Sequence, residues 1–128
     1  MKLLLDTHLL VWAAADSFRL SAQVRALLDD ERNEPVFSVA SIWEIAIKSG
    51  LKRQDFEIDA RLLRRELLDN GFEELSITSE HVVATAALPS IHKDPFDRLL
   101  VAQSIVEGIT FLTVDPLLGQ YPAPVQIV

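Results

Sequence analysis

Lys2-Leu3-Leu4-Leu5-Asp6 is a short apolar run closed by an acid, and reads as a buried first strand with a carboxylate at its mouth. Ile109–Val114 repeats the pattern late in the chain, as a fourth strand that stops at Asp115. Strand and helix patterns alternate between them. Leu9–Ala15 is apolar and alanine-rich, which suits a helix. Ser21–Glu31 reads as a second helix, with Ser21 as N-cap and Val24, Leu27 and Leu28 on one face. Pro35–Ser38 is a short strand, and Ser41–Ser49 an apolar helix closed by Gly50. Asp59–Asn70 is amphipathic, with Leu62, Leu63, Leu67 and Leu68 inward, Arg61, Arg64 and Arg65 outward, and Gly71 at its end. Glu74–Ile77 is the third strand, Ser79–Ala87 a helix stopped before Pro89, and Pro95–Glu107 a helix closed by Gly108. Pro116–Gln120 makes a short helical turn, and Val125–Val128 is a candidate last strand. Such alternation implies an α/β fold with a mainly parallel sheet. Right-handed crossovers then place helices on both faces of it.

The 128 residues fit one globular domain, and 49% hydrophobic content is enough for a core. There is no cysteine, which excludes a disulfide scaffold, a thiolate zinc site, an iron–sulfur cluster and a cysteine nucleophile. Twelve Lys and Arg against nineteen Asp and Glu give a formal charge of −7, which runs against ordinary nucleic-acid binding. The start Met1-Lys2-Leu3-Leu4-Leu5 is interrupted by Asp6 and His8 too early for a signal peptide. No run reaches the ~18–20 apolar residues of a membrane span, so the expected compartment is the cytoplasm.

The informative feature is where four acids fall on this map. Asp6 ends the first strand and Asp115 the fourth. Asp97 lies in the first turn of the helix that begins at Pro95, and Glu44 in the first turn of the helix that begins after Ser41. In a parallel α/β sheet, strand C-termini and helix N-termini share one edge, where ligand sites form. Topology alone therefore brings these acids together. Converging carboxylates repel, and without a cation at least one takes up a proton. An all-oxygen set suits Mg²⁺ or Mn²⁺ rather than zinc or copper. A metal so held can generate hydroxide from water and stabilise an in-line displacement at phosphorus.

Each acid also has a plain structural reading. Ser41-x-x-Glu44 matches a capping box, and Glu44 can pair with Lys48 one turn on. Asp94-Pro95-Phe96-Asp97 reads as an N-cap, a first-turn proline and a first-turn acid; Asp115-Pro116 repeats the cap. Asp94 is taken as a cap with a supporting role at the site. Asp6 has the weakest such reading, unless the helix starts directly after it. Thr7 and Thr113 put hydroxyls beside the acids, suited to holding a metal-bound water or simply to β-branched strand ends. Positive charge near the edge comes from Lys48, Lys52, Arg53, Lys93 and Arg98, as contacts to a phosphate-bearing substrate or as solvated charge. His8, His81 and His92 are too scattered for a zinc motif, and His92 reads as loop surface. Trp12 and Trp43 lie in apolar helices and read as core or interface.

Leu3-Leu4-Leu5-Asp6-Thr7-His8, Ser41-Ile42-Trp43-Glu44-Ile45, the stretch from His92 through Asp94-Pro95-Phe96-Asp97-Arg98 to Gln103, and Leu112-Thr113-Val114-Asp115 together resemble the PIN domain. More narrowly they resemble VapC-type toxins of type II toxin–antitoxin modules. The likeness runs nearly end to end, and Asp-Pro-Phe-Asp-Arg is its most specific piece. It implies a single PIN-like domain over residues 1–128, a three-layer α/β/α sandwich. It implies a Mg²⁺- or Mn²⁺-dependent endoribonuclease with Asp6, Glu44, Asp97 and Asp115 as catalytic and metal-binding acids, supported by Thr7 or Thr113. It also implies a homodimer and a small antitoxin protein that blocks the site.

Two other readings compete. Phosphotransfer on Asp6 would want a second acid beside it, or Asp-x-Asp, but position 8 is His. A non-catalytic PIN-like module that binds RNA or a protein partner remains the alternative, since fold does not fix function.

Overall fold

The computed structural model describes residues 1–51 and 58–128. Lys52 and Arg53, two of the expected basic residues, lie outside the described residues. The strands are β1 (Lys2–Leu5), β2 (Glu34–Ser38), β3 (Glu73–Leu75), β4 (Thr110–Thr113) and β5 (Val125–Ile127). The helices are α1 (Thr7–Ala14), α2 (Ala22–Asp29), α3 (Val39–Gly50), α4 (Ala60–Asp69), α5 (Ser79–Thr85) and α6 (Pro95–Glu107), with a 3₁₀ turn at Pro116–Gln120.

The strands form one sheet in the order β3-β2-β1-β4-β5, and every neighbouring pair is parallel. The chain works outward from β1 through β2 to β3, then crosses back to lay β4 on the other side of β1. The strand order thus reverses between β1 and β4. Open α/β sheets bind ligands at such a point, beyond the strand C-termini. Asp6 and Asp115 follow those two strands.

Side chains alternate across a strand, so β1 supplies both cores. Leu3 and Leu5 pack with Leu9, Leu10, Val24, Ile45, Leu63 and Leu67 from α1–α4. Leu4 points the other way and packs with Leu99, Leu100 and Ala102 of α6. Phe111 and Leu112 of β4 divide in the same manner. A sheet covered on both faces needs continuous apolar strands, which is why β1 reads Leu-Leu-Leu rather than alternating. This is the expected three-layer α/β/α arrangement.

Several element bounds differ from expectation, for local reasons. α1 starts at Thr7, two residues early, because Asp6 accepts the amide of Leu9 at 2.8 Å and caps it. α3 starts at Val39, because the buried Ser38 accepts the amide of Ala40 at 3.0 Å. The expected Ser41 capping box is therefore not formed, and Glu44 stands in the second turn. Gly50 is the last residue of α3 rather than the residue after it. Gly108, by contrast, ends α6 with φ 65°, a conformation that favours glycine. On α4 only Leu63 and Leu67 are buried, while Leu62 and Leu68 are exposed. Four leucines span too wide an arc for this single buried stripe.

Leu4 is fully buried at the centre of the sheet. Leu4→Ala is expected to lower unfolding free energy by about 2–5 kcal/mol, read by urea denaturation.

Candidate metal centre

The N-terminal ends of α1, α6 and the 3₁₀ turn all meet the C-terminal edge of β1 and β4. Each is opened by an acid. The Oδ1 atom of Asp6 caps α1, while Oδ2 accepts from the Thr113 hydroxyl at 2.6 Å and the Val114 amide at 3.2 Å. One side chain thereby joins β1, α1 and the end of β4. Asp94 caps α6, accepting the amides of Phe96 at 2.8 Å and Asp97 at 3.3 Å. Asp115 caps the 3₁₀ turn through Oδ1, which accepts the Leu117 amide at 3.0 Å. Its Oδ2 is left to face the recess, 3.1 Å from Nε2 of His92.

Glu44 reaches the same place from α3 and is almost fully buried. Its Oε1 accepts from the Thr7 hydroxyl at 2.7 Å, and its Oε2 from Lys48 at 2.5 Å. The anticipated pairing of Glu44 with Lys48 is thus present. Lys48 also lies 4.0 Å from Asp94. Asp6, Glu44, Asp94, Asp97 and Asp115 line one recess of about 210 Å³ with Thr7, Thr113 and Lys48. The four acids set apart by the sequence are therefore brought together. Both threonine hydroxyls give their proton to a carboxylate, so they brace the acids.

Repulsion in this recess has the expected electrostatic signature. The Asp97 carboxyl is pushed up to about 7, by burial first and then by the charges of Asp94 and Glu44; His92 pulls the other way. Burial also raises the Asp6 carboxyl, against hydrogen bonds from Thr113, Leu9 and Val114 that lower it. The donors that converge are carboxylate oxygens, some with a free lone pair toward the recess. That chemistry fits a hard divalent cation.

His92 is the site residue that sequence reasoning placed elsewhere. Its Nε2 lies 3.1 Å from Asp115 Oδ2 and 3.5 Å from Asp97 Oδ2. One ligand-type atom each from His92, Asp97 and Asp115 lies within 4.8 Å of the others. The available signal was position: His92 stands two residues before the Asp94 cap. Lys93 is exposed next to it. Arg98 is not directed at the recess. Its guanidinium donates to the carbonyls of Pro89 at 2.9 Å and Thr85 at 3.0 Å and to the Tyr121 hydroxyl at 3.2 Å.

A model of the PIN domain matches residues 3–123. The chain belongs to the PIN domain family. It is 28% identical over 127 residues to Ribonuclease VapC22 of Mycobacterium tuberculosis, covering 97% of this chain and 96% of that protein. Its fold is similar to a chain of VapBC2 from Rickettsia felis, solved bound to a promoter DNA fragment, with a TM-score of 0.71 at 14% identity over 99% of this chain and 98% of that one. DNA-bound VapBC from Salmonella typhimurium gives a TM-score of 0.70, with the same identity and coverage. The resemblance read from the sequence is borne out.

A carboxyl whose pKa is raised on folding binds its proton more tightly in the folded state, so its contribution to stability is lost as pH rises toward 7. Asp97→Asn removes that penalty. The chelator-treated variant is expected to melt above the native protein at pH 8, with the gap closing near pH 4. An equal or lower midpoint at pH 8 would contradict the raised Asp97 carboxyl.

Proposed function

We propose that this PIN-family chain is a Mg²⁺- or Mn²⁺-dependent endoribonuclease and the toxin of a toxin–antitoxin pair. The observation that carries this reading is the meeting of Asp6, Glu44, Asp97 and Asp115 in one recess, with the Asp97 carboxyl raised to about 7. Gathering like charges costs folding free energy, and a divalent cation that binds only the folded cluster offsets that cost.

In this reading Asp6, Asp97 and Asp115 hold the ion, and Glu44 completes the acidic set. When bound, a hard divalent cation supplies an acidified water and neutralises charge that builds at phosphorus. The chain's own residues do the rest. Asp6 is fixed by three hydrogen bonds, so its carboxylate is already aimed before substrate arrives. Thr7 and Lys48 hold Glu44 in the same way. Lys48 brings positive charge into an otherwise acidic recess, where it meets the phosphate of the RNA strand. Lys93 offers a second cation at the exposed rim. Arg98 is spent on the protein itself and is not assigned to RNA.

Partners follow from the same reading. The similar VapBC structures support a small antitoxin, and two apolar faces offer it and a second copy of the chain somewhere to dock. Trp43 and Val82 are 54% and 52% exposed and line one apolar recess with Phe96, against which Trp43 packs edge-on. Val11, Ala14 and Leu62 line another apolar recess between α1 and α4. No helix among the described residues is long and apolar enough to cross a membrane. We place the protein in the cytoplasm, where its RNA substrate is.

The test is cleavage of a mixed RNA pool by purified, partner-free protein, with Mn²⁺, with Mg²⁺ or with chelator. Metal-dependent cutting is expected, and Asp6→Asn is expected to reduce it to the chelator level while circular dichroism stays unchanged. Cutting that persists in a folded Asp6→Asn protein would overturn the site assignment. No cutting with either ion would turn the reading toward a binding module.

A further inference from the structure

We propose that His92 is a positioning residue that holds the Asp97 and Asp115 carboxylates for the cation from outside its coordination shell, and that Tyr121 and Arg98 hold His92 in place. This rests on the metal-centre reading above and goes beyond it.

The hydrogen bonds of the ring decide its role. Nδ1 of His92 accepts the backbone amide of Asp94 at 3.0 Å, so the ring proton sits on Nε2. Nε2 is then a donor, facing Oδ2 of Asp115 at 3.1 Å and Oδ2 of Asp97 at 3.5 Å. A protonated nitrogen cannot also bind a metal. Ligation by Nε2 would require the other tautomer, which would set Nδ1–H against the Asp94 amide. Oδ2 of Asp115 keeps a lone pair for a cation after accepting this N–H, and Oδ2 of Asp97 stands within electrostatic reach of the same ring edge.

Asp97 and Asp115 come from different elements, α6 and the turn after β4. The shared contact to one ring sets the spacing between them. The ring is itself anchored. The amide of His92 donates to the Tyr121 hydroxyl at 2.8 Å, and Tyr121 is almost fully buried. Arg98 donates to that same hydroxyl at 3.2 Å and pins the loop at the Pro89 carbonyl, 2.9 Å away. Arg98 immediately follows Asp97, so one turn of α6 carries both a carboxylate of the site and the brace for its histidine. Outer partners of this kind fix ligand orientation, and losing one typically costs about 10–100-fold in metal affinity.

The test is calorimetric titration of the full chain with Mn²⁺ alone, together with pulsed electron paramagnetic resonance of the Mn²⁺-loaded protein carrying ¹⁵N-histidine. His92→Ala is expected to weaken Mn²⁺ binding by about 10–100-fold. Tyr121→Phe keeps the buried ring, loses the hydroxyl, and is expected to weaken binding in the same direction by less. The resonance spectrum is expected to show no directly bonded nitrogen. His8 also lines the recess, so a directly bonded nitrogen that persists in His8→Ala would make His92 a ligand and overturn the proposal. So would Mn²⁺ binding in a folded His92→Ala protein as tight as in the native chain. If His92→Ala does not fold, unchanged affinity in Tyr121→Phe overturns it instead. A native chain that binds no Mn²⁺ would overturn the metal-centre reading and this inference together, whereas native binding with unaffected variants would overturn this inference alone.

Discussion

The hydrogen bond from the Thr113 hydroxyl to Asp6, 2.6 Å long and buried, closes the gap where the strand order reverses. At that gap helices leave the two central strands in different directions, and the sheet edge opens into a recess. Asp6 spans it. One oxygen starts α1, and the other takes the Thr113 hydroxyl and the Val114 amide. Asp115 and Glu44 are both tied to this joint. Asp115 lies two residues beyond Thr113 and gives that hydroxyl its own amide, at 3.1 Å. Glu44 reaches the joint through Thr7, the residue after Asp6.

Helix capping and cation binding are often treated as rival explanations of an acid at a helix start. In the function proposed above, one carboxylate does both. In Asp115 the two oxygens divide the work, Oδ1 toward the Leu117 amide and Oδ2 toward the recess. The caps also ease the crowding, since a helix N-terminus stabilises a nearby negative charge by ~0.3–1 kcal/mol. Three such ends point at this recess. They do not offset burial and the charges of Asp94 and Glu44, which together push the Asp97 carboxyl up to about 7.

Much of this was legible in the sequence, because parallel topology sends strand C-termini and helix N-termini to one edge whatever their separation along the chain. Asp6, Asp97 and Asp115 needed only that rule. Glu44 obeyed it less well. Its helix begins at Val39, since Ser38 both ends β2 and caps α3, and the acid arrives from the second turn. His92 was not legible. It lies in the irregular loop before α6, where no periodicity sets a direction, and its path depends on the distant Tyr121. Arg98 misled for a related reason: basic residues beside an acidic site suggest substrate contact, yet this one satisfies two carbonyls and a hydroxyl. Leu62 and Trp43 are apolar positions that stay more than half exposed, and apolar character alone does not distinguish core from exposed face.

The central claim is that these acids form one cation site at the edge between β1 and β4. Anomalous diffraction from crystals soaked in Mn²⁺ tests it most directly. The account predicts a manganese peak in the recess, with oxygens of Asp6, Asp97 and Asp115 about 2.0–2.3 Å from it or bridged to it by water. A recess that stays empty at saturating Mn²⁺, with the five acids in their present positions, would contradict it.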